Sequence, residues 1–251
     1  DVYKRQKFQL LEYTRSFLLG RMAWARIDSL LIISGAFGFF DREIALEVGG
    51  YDTNTVGEDM EIIFRMRRHM HEQKLPYHVA YIPDPLCWTE VPETLDAFVN
   101  QRDRWSRGNL ETLYTHKDMF FNPSFGRLGM LSYPYWFFYE WLAPILEFIG
   151  VISVVLFYYF GILNLDFFIA ITAAIYSFSI MFSFYAILWE IYSYNQYSKT
   201  KDILTLMLFA ILEPIIYHPI VVWASVRGNY KKLFNVKSGW GAQVRKGFAK
   251  A

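Results

Sequence analysis

Residues 167–189 read FFIAITAAIYSFSIMFSFYAILW and contain no charged side chain over 23 positions. A helix rises about 1.5 Å per residue, so a helix of this length can cross the roughly 30 Å of hydrocarbon in a bilayer. Uninterrupted apolar runs of this length are typical of transmembrane helices. The stretch therefore predicts a membrane-crossing helix and places the chain among membrane proteins.

The apolar region that precedes this helix is less regular. Glu140, Pro144 and Glu147 interrupt the first half of residues 133–163. Residues 128–143 are rich in Trp and Tyr, which concentrate at membrane surfaces. We expect 128–143 to form an interfacial helix and 144–163 to make the first crossing.

The apolar region that follows the helix is broken. Residues 203–226 contain Glu213-Pro214 and His218-Pro219, so they form either a third crossing or a re-entrant segment buried in protein. The tail, 227–251, holds seven cationic residues and no acidic residue, and cationic residues concentrate on the cytoplasmic side. We predict a membrane region at 128–226 with two or three crossings, followed by a basic cytoplasmic tail at 227–251.

Residues 1–127 have a different composition, with closely spaced charges of both signs. Residues 30–40 and 77–82 read as strands, whereas Glu58–Glu72 and a segment capped by Thr94 have helical spacing. This alternation predicts an α/β layer with parallel strand pairing. A single cysteine excludes an internal disulfide framework. Residues 1–6, which lack an initiator methionine, look like translated cloning sequence and carry no fold prediction.

The tripeptide Gly57-Glu58-Asp59 lies where a polar loop passes into a predicted helix. Acids in a first helical turn are common because they complement the helix dipole, so the tripeptide alone favours that bland interpretation. A carboxylate fixed at a helix start can also act as a general base towards an acceptor hydroxyl. Asp59 is therefore the candidate catalytic residue.

A second polar group, QRDRW at 101–105, lies on the helix that follows Thr94. Positions 101, 104 and 105 share one helical face with Gly108. The planar fork of an Arg suits a diphosphate, and an indole ring suits the C–H face of a pyranose. Arg and Trp are also frequent at headgroup depth in interfacial helices, which is the more common origin of such a pentapeptide.

Small residues end the first predicted strand, at Ser34, Gly35 and Ala36. They would let a ligand approach the backbone closely, although a bulged core strand is the more common origin of such a segment.

Taken together, these features resemble the processive family 2 glycosyltransferases, which include cellulose, chitin, hyaluronan and poly-N-acetylglucosamine synthases. That family carries a (Thr/Gly)-Glu-Asp motif, a later Gln-x-x-Arg-Trp motif and then transmembrane helices. This chain matches the motifs at 58–59 and at 101, 104 and 105, and the resemblance covers residues 28–116. It implies a GT-A fold, of which 1–127 would be the C-terminal portion, packed beside a membrane channel.

The resemblance implies a role for each matched residue. Asp59 would be the catalytic base, Gln101 and Arg104 would contact the donor diphosphate, and Trp105 would lie under the acceptor sugar. Further substrate contacts would be Glu58, Arg102, Ser34, Gly35 and Ala36, of which the last three would lie near the acceptor terminus.

The resemblance also implies partners and a location. The partners would be a UDP-sugar donor, a growing polysaccharide and the lipid bilayer, with no nucleic acid. Mg²⁺ or Mn²⁺ would serve the intact enzyme, but this sequence lacks the family's Asp-x-Asp metal motif. We expect the metal ligands upstream, and this piece alone to be inactive. The location would be the bacterial inner membrane, with the catalytic part cytoplasmic.

Inverting, processive transfer to a β-linked polymer is the leading hypothesis, and two others remain open. A non-processive transferase acting on a lipid-linked acceptor could share the Gly-Glu-Asp helix start. A membrane carrier or scaffold could instead retain a degenerate transferase domain.

Overall fold

The computed structural model describes residues 2–33, 35, 37–84, 86–87, 89–194 and 199–236. In chain order its α-helices are α1 (Val2–Tyr13), α2 (Met22–Arg26), α3 (Arg42–Glu47), α4 (Glu58–Glu72), α5 (Leu95–Thr115), α6 (Tyr133–Tyr135), α7 (Ala143–Tyr159), α8 (Leu165–Ser193), α9 (Thr200–Ile216) and α10 (His218–Leu233). Three π-helical stretches join some of them end to end: Thr14–Arg21, Leu128–Ser132 and Trp136–Leu142.

The chain forms two compact units. The motif unit comprises residues 21–144 and 224–251, and the apolar unit comprises residues 1–20 and 145–223. The three-part division at residues 127 and 226 stays a prediction, and residues 237–251 of the expected tail lie outside the described residues.

Helices α4 and α5 form the centre of the motif unit. The Thr94 hydroxyl accepts a hydrogen bond from the Ala97 amide at 3.2 Å and so begins α5, as the sequence predicts. The predicted helix at Glu58–Glu72 is confirmed with the same bounds. Apolar side chains of both helices pack with the segments that follow α5 in a core of Leu31, Met60, Phe64, Leu113, Met119, Phe125, Leu128 and Tyr133.

The predicted strands do not form among the described residues, so the α/β GT-A fold is not confirmed. Apart from an isolated bridge at Phe37, the described parts of 30–40 and 77–82 are irregular. A strand needs a neighbouring strand that hydrogen-bonds to its backbone groups. In the first segment, a side chain instead hydrogen-bonds to part of the backbone. The buried Arg67 guanidinium donates to the Leu30 and Asp28 carbonyl oxygens, each at 2.7 Å.

Long apolar helices carry the membrane character of the chain. The helical paths Leu128–Tyr159, of 32 residues, and Leu165–Ser193, of 29 residues, are long and apolar enough to cross a membrane. Helices α9 and α10 pass the same test as a pair but are bent by 47°. The described residues thus offer two crossings, or three if the bent pair is one span, in line with the sequence prediction.

The first of these helical paths contains both segments that the sequence analysis separates at residue 144. It continues from Leu128 to Tyr159, and the assignment of its first part to the membrane surface stays a prediction. A π-helical stretch, Trp136–Leu142, directly precedes Pro144. Because a π-turn shifts the hydrogen-bond register, it accommodates a proline without ending the helix.

In the apolar unit, α1 packs against α8 and α9. The buried contacts are made by Leu11, Ile187, Leu206 and Ala210. Beside them Arg15 donates to Glu213 at 3.1 Å and to the Ser183 hydroxyl at 2.9 Å. The carboxylate next to Pro214 is therefore charge-paired within this unit, as a buried carboxylate must be.

Candidate active site

The first part of the candidate site is the start of α4. Gly57 precedes the helix, and Glu58 and Asp59 occupy its first turn. The Asp59 Oδ1 atom accepts a hydrogen bond from the Met60 amide at 2.9 Å. This bond holds the Asp59 side chain against the start of α4.

The second part is the face of α5 that carries Gln101, Arg104 and Trp105. Gly57 and Gly108 bring it against the start of α4, because their backbones meet without side chains between them. A Cβ atom placed on Gly108 would lie 2.6 Å from the Gly57 Cα atom. The two sequence motifs, more than 40 residues apart in the chain, are therefore neighbours in the fold.

The charged groups of the two parts lie close enough to affect each other's pKa. Burial lowers the pKa of the Arg104 guanidinium, while the charges of Glu58 and Asp59 act in the opposite direction. Burial raises the pKa of Glu58, and the neighbouring Asp59 charge adds to that rise whereas Arg104 opposes it. Arg104 thus brings a guanidinium within reach of both carboxylate charges, and a guanidinium is a suitable partner for a diphosphate.

Two buried acceptor atoms in this region have no hydrogen-bond partner in the protein: Glu58 Oε2 and Gln101 Oε1. Native proteins rarely leave such atoms unsatisfied, so each calls for an explanation such as water or a ligand. Sugar hydroxyl groups are hydrogen-bond donors and match these atoms chemically.

The small-residue segment also reaches this region. A Cβ atom placed on Gly35 would lie 2.7 Å from Asp59 Oδ2, so only glycine fits beside that carboxylate. Ser34 and Ala36 lie outside the described residues.

Trp105 and Arg102 are arranged as a pair. The Trp105 side chain is 37% exposed, and the centre of the buried Arg102 guanidinium lies 4.1 Å from the centroid of its indole ring. The same guanidinium lies 4.9 Å from the Phe98 ring. Arg102 therefore contacts the indole through a cation–π interaction, and its expected contact with the substrate stays a prediction.

Glu111 is a residue that the sequence analysis missed. Its Oε2 atom accepts hydrogen bonds from the Thr55 hydroxyl at 2.9 Å and the Val56 amide at 3.0 Å. Glu111 thereby fixes the loop that leads into Gly57 to the far end of α5. No local pattern predicts this contact, because it joins positions more than 50 residues apart.

The described residues do not supply a metal centre. No group of three or more His, Cys, Asp or Glu side chains among them could hold a metal ion.

Comparisons with known proteins match this chain to one family model and to bacterial synthases. Residues 5–193 match the model of Glycosyl transferase family group 2. The chain is similar to the poly-beta-1,6-N-acetyl-D-glucosamine synthases of Staphylococcus epidermidis and Staphylococcus aureus, with 31% identity over 107 residues in each case. That region is 43% of this chain and 24% of each relative, so the chain spans only a minor part of their length. No solved structure matches the chain.

The resemblance that the motifs at 58–59 and 101–105 indicate is thus confirmed by a family model that covers most of the chain and includes both of them. The chain belongs to Glycosyl transferase family group 2.

Proposed function

We propose that the intact protein is an inverting, processive glycosyltransferase that extends a β-linked polysaccharide from a UDP-sugar at the bacterial cytoplasmic membrane, with its catalytic part cytoplasmic. The single observation that carries the proposal is the contact of Gly57 with Gly108. It brings Asp59, a carboxylate, next to a helix face with a guanidinium and a half-exposed indole. These are the groups that proton removal, diphosphate binding and sugar stacking require.

In the proposed reaction, Asp59 takes the proton of the acceptor hydroxyl. The hydroxyl oxygen forms a bond to the anomeric carbon of the donor as the bond from that carbon to the diphosphate breaks. UDP leaves with the electron pair, and the displacement inverts the anomeric centre. Arg104 and Gln101 bind the diphosphate, and Trp105 supports the acceptor sugar.

The donor proposed for the first tests is UDP-N-acetylglucosamine, since the relatives are named as poly-beta-1,6-N-acetyl-D-glucosamine synthases. Mg²⁺ or Mn²⁺ would neutralise the donor diphosphate in the intact enzyme. Its ligands would come from an Asp-x-Asp motif upstream of this sequence, which does not contain one.

The experiment that tests processivity is Trp105→Ala in the full-length protein. Loss of the stacking surface should misplace the acceptor, and a misplacement of about 1 Å can cost about 10²-fold in rate. Polymer formed per mole of membrane-inserted enzyme should fall accordingly, while donor binding persists. Tyr114→Ala is the matched control, because Tyr114 is a 70% exposed aromatic residue on the same helix.

The outcomes separate the candidate functions. A specific activity for Trp105→Ala within about twofold of wild type would remove Trp105 from acceptor binding. A wild-type product with a single added sugar would point to the non-processive transferase. Donor binding without any transfer would point to a degenerate domain in a carrier or scaffold.

A further inference from the structure

Asp103, the middle residue of QRDRW, lies on the side of α5 away from the candidate site. Residues rotate by about 100° along a helix, so position 103 is roughly opposite position 101. Its side chain is only 1% exposed. A buried carboxylate requires partners of opposite charge, and Asp103 has three.

One of these partners is on the same helix and two are on α10. Arg107 donates to Asp103 Oδ1 at 2.9 Å. Lys231 lies 2.5 Å from Asp103 Oδ2 and Arg227 lies 3.3 Å from the same atom. The contact between α5 and α10 is therefore built around the Asp103 carboxylate of α5. Arg227 and Lys231 of α10 pair with this carboxylate.

The backbones of α5 and α10 also meet at this point. Gly228 lies against Asp103, and a Cβ atom on Gly228 would clash with the Asp103 carbonyl group. Ser106 donates to the Ser225 carbonyl oxygen at 3.0 Å, and Arg227 donates to Asn100 at 2.8 Å.

Further along α5 the two helices meet again. Lys232 lies 2.8 Å from Glu111, the residue that holds the loop before Gly57. The α10 contacts therefore follow α5 from Asn100 to Glu111, along the whole stretch that carries the Gln-x-x-Arg-Trp motif.

We propose that the ion pairs of α10 with Asp103 form an ionic latch that positions helix α5, with Asp103 and Lys231 as positioning residues. Helix α5 is held on one side by the contact of Gly108 with Gly57 and on the other by the contact of Asp103 with Gly228. Loss of the α10 charges releases α5 on one side, and Arg104 and Trp105 then lose their place relative to Asp59. The latch rests on the proposed roles of those residues in transfer.

The kinetic test uses Lys231→Met and Lys231→Arg in the full-length protein, assayed with UDP-N-acetylglucosamine. Lys231→Met keeps the length of the side chain and removes its charge, so kcat per mole of inserted enzyme should fall about tenfold or more through misplacement. The KM for the donor should change less than about threefold, and Lys231→Arg should recover most of the rate. Lys201→Met, at an exposed lysine in the first turn of α9, should behave as wild type.

A purely structural role for Lys231 would lower the yield of inserted enzyme and leave kcat unchanged. A kcat for Lys231→Met within about twofold of wild type would therefore overturn the latch.

A cross-linking test does not depend on activity. Asn100→Cys and Arg227→Cys are introduced together in a Cys87→Ser background, since Cys87 is a free exposed thiol. A short bismaleimide should link positions 100 and 227 within one chain, and each single-cysteine protein should give no link. Absence of the link would overturn the latch whatever the enzyme does. A link and a kcat loss in Lys231→Met, together with full activity of Asp59 and Trp105 variants, would instead overturn the proposed function.

Discussion

Gly108→Ala is predicted to damage the candidate site without unfolding the protein. A Cβ atom on Gly108 would lie 2.6 Å from the Gly57 Cα atom and 2.8 Å from the Gly57 nitrogen, whereas ordinary contact begins at 3.4 Å. Both neighbours are backbone atoms that cannot rotate away. The helices must therefore separate by about 0.8 Å, the difference between 3.4 Å and 2.6 Å.

The energetic and catalytic consequences of this shift differ in size. Overpacking costs about 1–3 kcal/mol, and replacing a helical glycine by alanine returns about 0.5–1 kcal/mol. Most of the protein should therefore still fold. A displacement close to 1 Å between Asp59 and the face of Arg104 and Trp105 should lower transfer by about 10- to 100-fold.

The assay is saccharide formed per mole of monodisperse full-length protein, with thermal unfolding measured in parallel. Gly150→Ala is the matched control, because Gly150 is also a helical glycine and a Cβ atom there meets nothing within 4 Å. Transfer by Gly108→Ala within about twofold of wild type, or an equal loss in Gly150→Ala, would refute the reasoning.

Two further predictions concern the same contacts. Burial alone would raise the pKa of Glu111, but Lys232 and the hydrogen bonds from Val56 and Thr55 outweigh it and hold that pKa below its usual 4.5. Charged Glu111 therefore stabilises the fold above pH 4.5. This contribution is lost as the pH falls through the lowered pKa. The stability difference between wild type and Glu111→Gln in thermal unfolding should be largest near pH 7 and shrink as the pH falls below 4.5, and a difference that is constant with pH would contradict it. Because α10 contacts α5, we predict that the residues after this contact lie on the same side of the membrane as the motif unit, with an even number of crossings between the two. In a Cys87→Ser background, a membrane-impermeant thiol reagent added to intact cells should label Ile162→Cys, between α7 and α8, and spare Phe234→Cys; labelling of Phe234→Cys from outside would require a third crossing.

Local signals predicted the helices of the motif unit well. Acids in the first turn and apolar spacing indicate α4, which has the predicted bounds, and Thr94 indicates the start of α5. These features act within one or two turns and are visible in the sequence itself.

The contacts that assemble the candidate site have no such local signature. The contact of Gly57 with Gly108 and the ion pair of Asp103 with Lys231 join residues far apart in the chain. The sequence therefore indicates that Gly108 leaves space on the face of α5, but it does not indicate that Gly57 lies in this space. Likewise, Lys231 and Lys232 read as part of a basic tail, whereas they pair with carboxylates of α5.

The predicted strands fail for a related reason. Apolar composition at 30–33 indicates burial, which Leu30 and Leu31 confirm. A strand also requires a partner strand, and no property of the segment itself supplies one. Arg67, which takes over the Leu30 carbonyl oxygen, lies more than 30 residues away.

The role of Asp59 as the base is tested most directly by Asp59→Asn in the full-length enzyme, with polymer formation from UDP-N-acetylglucosamine and UDP binding measured on the same preparation. Asparagine keeps the size and cannot take the proton, so we predict a fall in polymer formed per mole of about 10²-fold or more, with UDP affinity nearly unchanged. Asp96→Asn, at an exposed acid in the first turn of α5, removes an equivalent helix-dipole interaction and should leave the rate unchanged. Polymer synthesis by Asp59→Asn at a rate close to that of wild type would contradict the assignment of Asp59 as the base.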